Sequence, residues 1–197
     1  MEEIITKGEL DKLMNIEGKG RGVLFKTASK FVLKEKGKKG LKKLEKTMKE
    51  LGYPLNEIKT MDFYPAGLYA SVLVIIQRLF DFEDEKFVEM GDFESKVSII
   101  VRLFTKFFGS AERAVQQVPK VWRAYFSFGR ISVTEVDEEE GRATFKIDDF
   151  FLHPLHCCIL RGYFPSVVQM VVGKKTSCQE LKCIHEGDNY HEFKLTW

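Results

Sequence analysis

The chain has 197 residues, 44% of them hydrophobic and 30% charged, and its formal net charge is only +2. These proportions describe a globular domain with its own core and exclude disordered and fibrous chains. Near-balanced charge also removes any global electrostatic demand for nucleic acid, so no such partner is expected.

The opening "MEEIITKGELDK" is charged and carries no apolar stretch of the secretory kind. Residues 1–17 read as a lead-in, and residues 18–197 as a single domain without internal repeats. The most apolar run, "AGLYASVLVII", falls short of the roughly 20 residues that cross a bilayer, so no membrane span is expected. Four cysteines without a secretory leader read as free thiols or metal ligands in a reducing compartment, which predicts a cytoplasmic protein.

In chain order, "GKGRG" at Gly18 to Gly22 lacks the preceding strand and the Lys-Ser/Thr ending of a phosphate loop, and reads as a flexible entry to the first helix. Leu24, Ala28, Phe31 and Val32 recur at helical spacing over Val23 to Lys36, where Gly37 ends the segment. A second helix spans Leu41 to Leu51, striped by Leu41, Leu44, Met48 and Leu51 and stopped by Gly52. Lysines crowd Lys34 to Lys49, but no aromatic residues interleave, so they read as a solvated helix face rather than a patch for phosphate or an anionic membrane surface.

"MDFYPAGLYASVLVIIQRLF" predicts a helix opening near Pro65. Leu68, Val72, Ile75, Ile76 and Leu79 form one stripe, and Leu73, Val74 and Phe80 add apolar surface elsewhere, so the helix is buried on most sides. Asp92 is placed to cap a helix carrying Val97, Ile100, Val101, Phe104 and Phe108, with Gly109-Ser110 as a fresh break. The next helix should bend or divide at Pro119, and it presents Val118, Val121, Trp122, Tyr125 and Phe126 on one face.

At Gly129 the period changes. Ile131 and Val133, then Ala143, Phe145 and Ile147, alternate with polar residues around "DEEEG", which predicts a β-hairpin. Cys157 to Val172 is apolar and helical in character, although Gly162 and Pro165 argue for a break. "TSCQELKCI" and "YHEFKLTW" read as two strands around a turn at Gly187. The fold class is α+β: N-terminal helices packed on a small antiparallel sheet, with an inserted helix before the C-terminal hairpin.

That last hairpin carries chemistry. With the turn centred on Gly187, Cys183 stands opposite His191, at a spacing where two side chains share one ion. His191 is in phase with Phe193, Leu195 and Trp197 and so faces the apolar side. A buried thiolate and imidazole suit zinc. On a regular strand, however, Glu180 and Cys183 point to opposite faces unless a bulge or strand end intervenes. Buried cysteines also serve as small hydrophobes. The residues alone leave both readings open.

The segments "KGRGVLFKTASKFV", "VPKVWRAYFSFG", "HPLHCCILRGYF" and "CIHEGDNYHEFKLTW" resemble the superfamily of 4-vinyl-reductase and haem-nitric-oxide-binding-like domains, nearest to a bacterial branch of about this chain's length. The resemblance runs from Gly18 to Trp197 and implies the fold shared with subunits of the trafficking particle TRAPP. Phenol-sensing regulators of that superfamily hold zinc with a Cys, a distant Glu-x-x-Cys and a further Cys eight residues on. The pattern falls on Cys157, Glu180, Cys183 and His191, with His standing where the sensors have Cys. The resemblance therefore implies a structural zinc site and leaves Cys158 and Cys178 as packing residues. The haem-binding branch uses a Tyr-x-Ser-x-Arg motif absent from this chain, so His153, His156 and His185 are not expected to serve haem.

No HExxH or GxSxG hydrolase signature occurs, and a non-catalytic protein is expected. The 17 phenylalanines, the all-apolar helix and the resemblance point to a sensory domain that encloses a small apolar or aromatic ligand. Tyr69, Trp122, Tyr125 and Phe126 are the expected lining, against the alternative that they fill the core. A second reading is a protein-interaction module that pairs as a homodimer, or with a signalling partner, through the Phe104 to Phe108 ridge. A haem-based gas sensor is the third.

Overall fold

The computed structural model describes residues 4–98, 100–101 and 111–197. The ridge from Phe104 to Phe108 and the break at Gly109-Ser110 lie outside them.

Thr6 caps helix α1 (Lys7–Met14): its hydroxyl accepts from the Glu9 amide at 3.2 Å, and the Glu9 carboxylate accepts from the Thr6 amide at 3.0 Å. Glu9 also pairs with Arg78 at 2.8 Å, so the expected lead-in is a helix docked on the domain. "GKGRG" is not a flexible entry either. Strand β1 (Lys19–Arg21) pairs antiparallel with β2 (Phe63–Pro65), matching Gly20 to Tyr64. Arg21 tightens the ribbon, donating to the carbonyls of Ala124 and Met61 and lying 4.1 Å over the Phe63 ring.

Helix α2 (Gly22–Glu50) consists of the two expected segments meeting at Gly37, whose φ of 65° is left-handed backbone. Every lysine from Lys34 to Lys49 is exposed, while Leu24, Phe31, Leu44 and Met48 are buried. Helix α3 (Ala66–Phe80) is buried without interruption from Ala66 to Ile76, as an all-round apolar helix must be.

Asp92 does not begin a helix. It lies within α4 (Asp84–Val97) and accepts from Lys96 at 2.6 Å, one turn on. Nor does proline divide the later helices: α5 (Ala111–Tyr125) runs through Pro119, and α6 (Pro154–Val172) runs through Gly162 and Pro165. At 19 residues, α6 is long and apolar enough to cross a bilayer, but half of the apolar stretch is buried within the fold as core.

Gly162 has a different role from a break. A Cβ there would sit 1.9 Å from the Val88 carbonyl, and one on Gly91 would sit 1.9 Å from that of Ile159. The two glycines let α4 and α6 cross in backbone contact. One turn further on, the Ser95 and Ser166 hydroxyls meet at 2.6 Å.

Strands β3 (Arg130–Asp137), β4 (Arg142–Asp148), β5 (Ser177–Lys182) and β6 (His191–Thr196) form an antiparallel sheet in the order β3-β4-β6-β5. Ile131, Ala143, Phe145, Ile147, Phe193 and Leu195 are buried at period two on one face. Helix α6 crosses that face, where Phe164 meets Phe145 and Phe193 edge-on at 5.1 and 5.2 Å.

Candidate functional site

The sheet face and the first turn of α6 bring two features together: a four-donor cluster and, beside it, an apolar cavity. In the cluster, ligand-type atoms of Cys157, Glu180, Cys183 and His191 all lie within 4.8 Å of one another. The register of β5 against β6 shifts between Glu180 and Lys182, a bulge at Leu181 that brings Glu180 and Cys183 to the same side. Past the turn, Asp188 accepts from the Cys183 amide at 2.9 Å and returns its own amide to the Cys183 carbonyl at 3.2 Å. Cys183 is thereby fixed before the loop reverses.

His191 is fully buried and oriented from behind. Its Nε2 lies 3.0 Å from the Phe150 carbonyl, which only accepts, so Nε2 carries the proton. The lone pair of Nδ1 then faces Cys157 Sγ at 3.8 Å and Glu180 Oε1 at 3.4 Å. Cys157 and Cys183 face each other Sγ to Sγ at 3.8 Å, too far for a disulfide.

Tetrahedral zinc at ordinary bond lengths separates two thiolates by about 3.8 Å, a thiolate and an imidazole by about 3.6 Å, and an imidazole and a carboxylate oxygen by about 3.4 Å. The observed spacings match that pattern. Burial, reinforced by Glu180 and Cys183, holds the Cys157 thiol well above the usual thiol range. Burial raises Cys183 likewise. Deprotonated together, two thiols and a carboxyl this close would repel one another, and a divalent cation at their centre would relieve the conflict. Cys158, buried, and Cys178, half-buried, stand outside the cluster.

The cavity, about 110 Å³, lies between α5, α6 and the inner sheet face. Trp122, Tyr125 and Phe126 are on its wall, with Ile131, Phe145 and Leu160. Tyr69 is not: fully buried, it stands one layer behind and donates to Glu94 Oε1 at 3.4 Å. Thr27 donates to the same oxygen at 3.1 Å. Glu94 itself reaches the wall, and burial pushes its carboxyl up to about 8, so it is protonated at neutral pH. Tyr163 donates to Tyr125 at 3.2 Å, and Tyr125 shares a short hydrogen bond with Ser98.

His156 is the anomaly. Only 2% exposed, it is among the cavity's lining residues, and neither ring nitrogen has a hydrogen-bond partner among the described residues. Burial lowers it to about 3, leaving a neutral imidazole. Its rings for company are Tyr69, Phe126 and Phe150, at 5.8, 5.3 and 5.6 Å.

Glu94 and Tyr163 escaped the sequence reading, although one signal existed for Glu94. Phe87, Met90, Gly91 and Glu94 recur at helical spacing, which puts a carboxyl on the apolar stripe of α4.

No family model matches this sequence, and no curated protein does. Solved structures do match in fold. An H-NOX protein from S. oneidensis in the Fe(II)NO ligation state superposes with a TM-score of 0.65 at 13% identity, covering 89% of this chain and 97% of that one. An oxygen-binding H-NOX domain related to soluble guanylate cyclases gives 0.62 at 12% identity, covering 89% and 92%. The phenol-responsive sensory domain of the transcription activator PoxR, with phenol, gives 0.51 at 16% identity, covering 71% and 77%. The fold is therefore H-NOX-like.

This likeness returns haem to consideration. His156, among the lining residues, carries an imidazole with no hydrogen-bond partner among the described residues. Yet the space is far below the roughly 300 Å³ or more of ordinary cofactor pockets. Among the described residues, no lysine or arginine lines it to meet the two propionates. In this arrangement the residues do not fit haem.

Proposed function

We propose that this chain is a non-catalytic sensory domain that holds a small, largely apolar molecule in the cavity between α5, α6 and the sheet. The cavity carries the reading: aromatic walls, a few polar tips, and a volume of benzene scale. A structural zinc held by Cys157, Glu180, Cys183 and His191 belongs to the same proposal. With four protein ligands it has no open position, and its contribution is to staple the first turn of α6 to the C-terminal hairpin. Free thiols in that role need a reducing, cytoplasmic setting. The 4-vinyl-reductase-like and TRAPP-like kinships, and a second copy or signalling protein as recipient of the occupancy state, complete the reading.

Thermal unfolding with a panel of small aromatics is the test. At ten times Kd, a ligand stabilises by about 1.4 kcal/mol. For a chain of this size that raises Tm by roughly 3–6 °C. A flat response across phenols, alkylbenzenes and short lipids refutes the proposal.

One observation favours a second reading. In an H-NOX-like fold, His156, whose ring nitrogens find no partner among the described residues, would be the residue to hold a haem iron, provided the cavity opened wider than it stands here. A Soret band at one haem per chain, lost in His156→Ala, supports that reading. Its absence after haem supplementation disposes of it.

A further inference from the structure

We infer that the second half of α2 is a docking face for an anionic membrane surface. The near-neutral total of the chain conceals a local surplus. From Lys34 to Glu50 there are eight lysines and three glutamates, a surplus of five on a chain of net +2, which leaves the remaining residues at −3. Charge divided in this way turns one face toward an anionic plane although the whole molecule is almost neutral.

The helix concentrates that surplus further. Beyond the bend at Gly37, residues 38–50 keep helical backbone. At 3.6 residues per turn, Lys38, Lys39, Lys42, Lys46 and Lys49 fall within an arc of about 100°, spread over about 16 Å of axis. Gly40, Leu44 and Met48 are buried on the opposite side, so the arc points straight away from the core. Glu45 and Glu50 fall just outside its two edges.

Charge within the arc is left uncompensated. Lys46 reaches Glu50 at 3.7 Å with both side chains more than half exposed, a contact that neutralises little. Lys38, Lys39, Lys42 and Lys49 have no hydrogen-bond or ion-pair partner among the described residues. Their neighbours off the arc do have contacts: Lys34 pairs with Glu35, Lys36 lies over the Phe82 ring, and Lys43 donates to the Leu79 carbonyl. The unpaired lysines are thus the ones that face outward.

Composition selects the occupant. This stretch holds no arginine, whose planar fork grips a single phosphate, and no aromatic ring on which a base could stack. Compact ammonium groups on flexible stems suit a continuous field of anionic headgroups, which demands neither register nor stacking.

Co-sedimentation of the full chain with vesicles tests this, using phosphatidylcholine alone or in equal parts with phosphatidylglycerol. The protein should pellet with the anionic vesicles only. Raising salt from about 0.1 to 1 M shortens the screening length from about 10 to about 3 Å and should release it. Each lysine at the surface strengthens binding about fivefold, so K38Q/K42Q/K49Q should weaken it about a hundredfold with Tm unchanged. K120Q/K174Q/K175Q removes the same charge from exposed positions elsewhere and should bind as the wild type does. The inference is overturned by no pelleting, by pelleting with phosphatidylcholine alone, or by equal loss in the two triple variants. Undiminished binding of the first variant, or tighter binding of duplex DNA than of anionic vesicles at equal salt, overturns it as well.

Discussion

Replacing Glu94 by glutamine should change how stability depends on pH, by an amount that the burial of the side chain sets. In the folded chain the carboxyl is pushed from its ordinary 4.5 up to about 8, because burial outweighs the hydrogen bonds from Thr27 and Tyr69. Between those two values the folded state keeps a proton that the unfolded state has released. Stability therefore falls as pH rises through this window, by about 1.4 kcal/mol per pH unit. Above about 8 the loss is complete, at about 5 kcal/mol; below 4.5 it vanishes. Glutamine keeps the carbonyl acceptor for Thr27 and Tyr69 and cannot titrate.

Buried histidines complicate either curve alone. His153, lowered to about 4, and His156, lowered to about 3, stay neutral in the fold, so stability also falls as pH drops below about 6.5. Both proteins share these groups, and the difference between their curves isolates Glu94. Urea unfolding at fixed ionic strength, followed by tryptophan fluorescence from pH 5 to 9, measures it. The Glu94→Gln variant should gain about 3–5 kcal/mol on wild type between pH 5 and pH 8.5. Parallel curves refute the claim that Glu94 is buried and uncharged.

Other expectations follow from the same contacts. Elemental analysis should find one zinc per chain, and Cys183→Ser should lose it; four occupied ligands with no loss in the variant would contradict the cluster. If the cluster holds zinc, removing it with a chelator should lower Tm and open the C-terminal hairpin to amide exchange while α3 stays protected, because Cys157 on α6 would share the ion with Cys183 and His191 of the hairpin. Gly162→Ala should cost more than about 3 kcal/mol by urea unfolding, since its methyl meets the Val88 carbonyl at 1.9 Å. An alanine variant of wild-type stability would show that the helices do not cross in backbone contact.

Long periodic segments were legible from residues alone. The all-apolar α3, the β3–β4 hairpin and the two helical segments that meet at Gly37 each follow from a pattern that extends over many positions. Short or exceptional features were not. Three-residue strands β1 and β2 hold too few positions to show a period, so "GKGRG" looks like a loop until its partner is seen. Gly162 and Pro165 look like breaks because propensity disfavours them, whereas tertiary contact with α4 rewards the glycine. The four cluster residues were readable as a set through the resemblance, but the bulge at Leu181 that lets Glu180 and Cys183 converge was not. His156 reads as one more histidine near a turn; only burial without a partner among the described residues distinguishes it.

The glycine crossing of α4 and α6 makes one side of the chamber stiffer than the rest. Glu94 follows Gly91 by one turn, and His156 precedes Gly162 on the opposing helix, so main chain pressed against main chain sets the gap between them. The rest of the chamber is bounded by side chains such as Val121, Ile131 and Phe145, which tolerate exchange among hydrophobes of similar size. Exchange at those positions reshapes the chamber, while the placement of α4 against α6 stays as the backbone sets it.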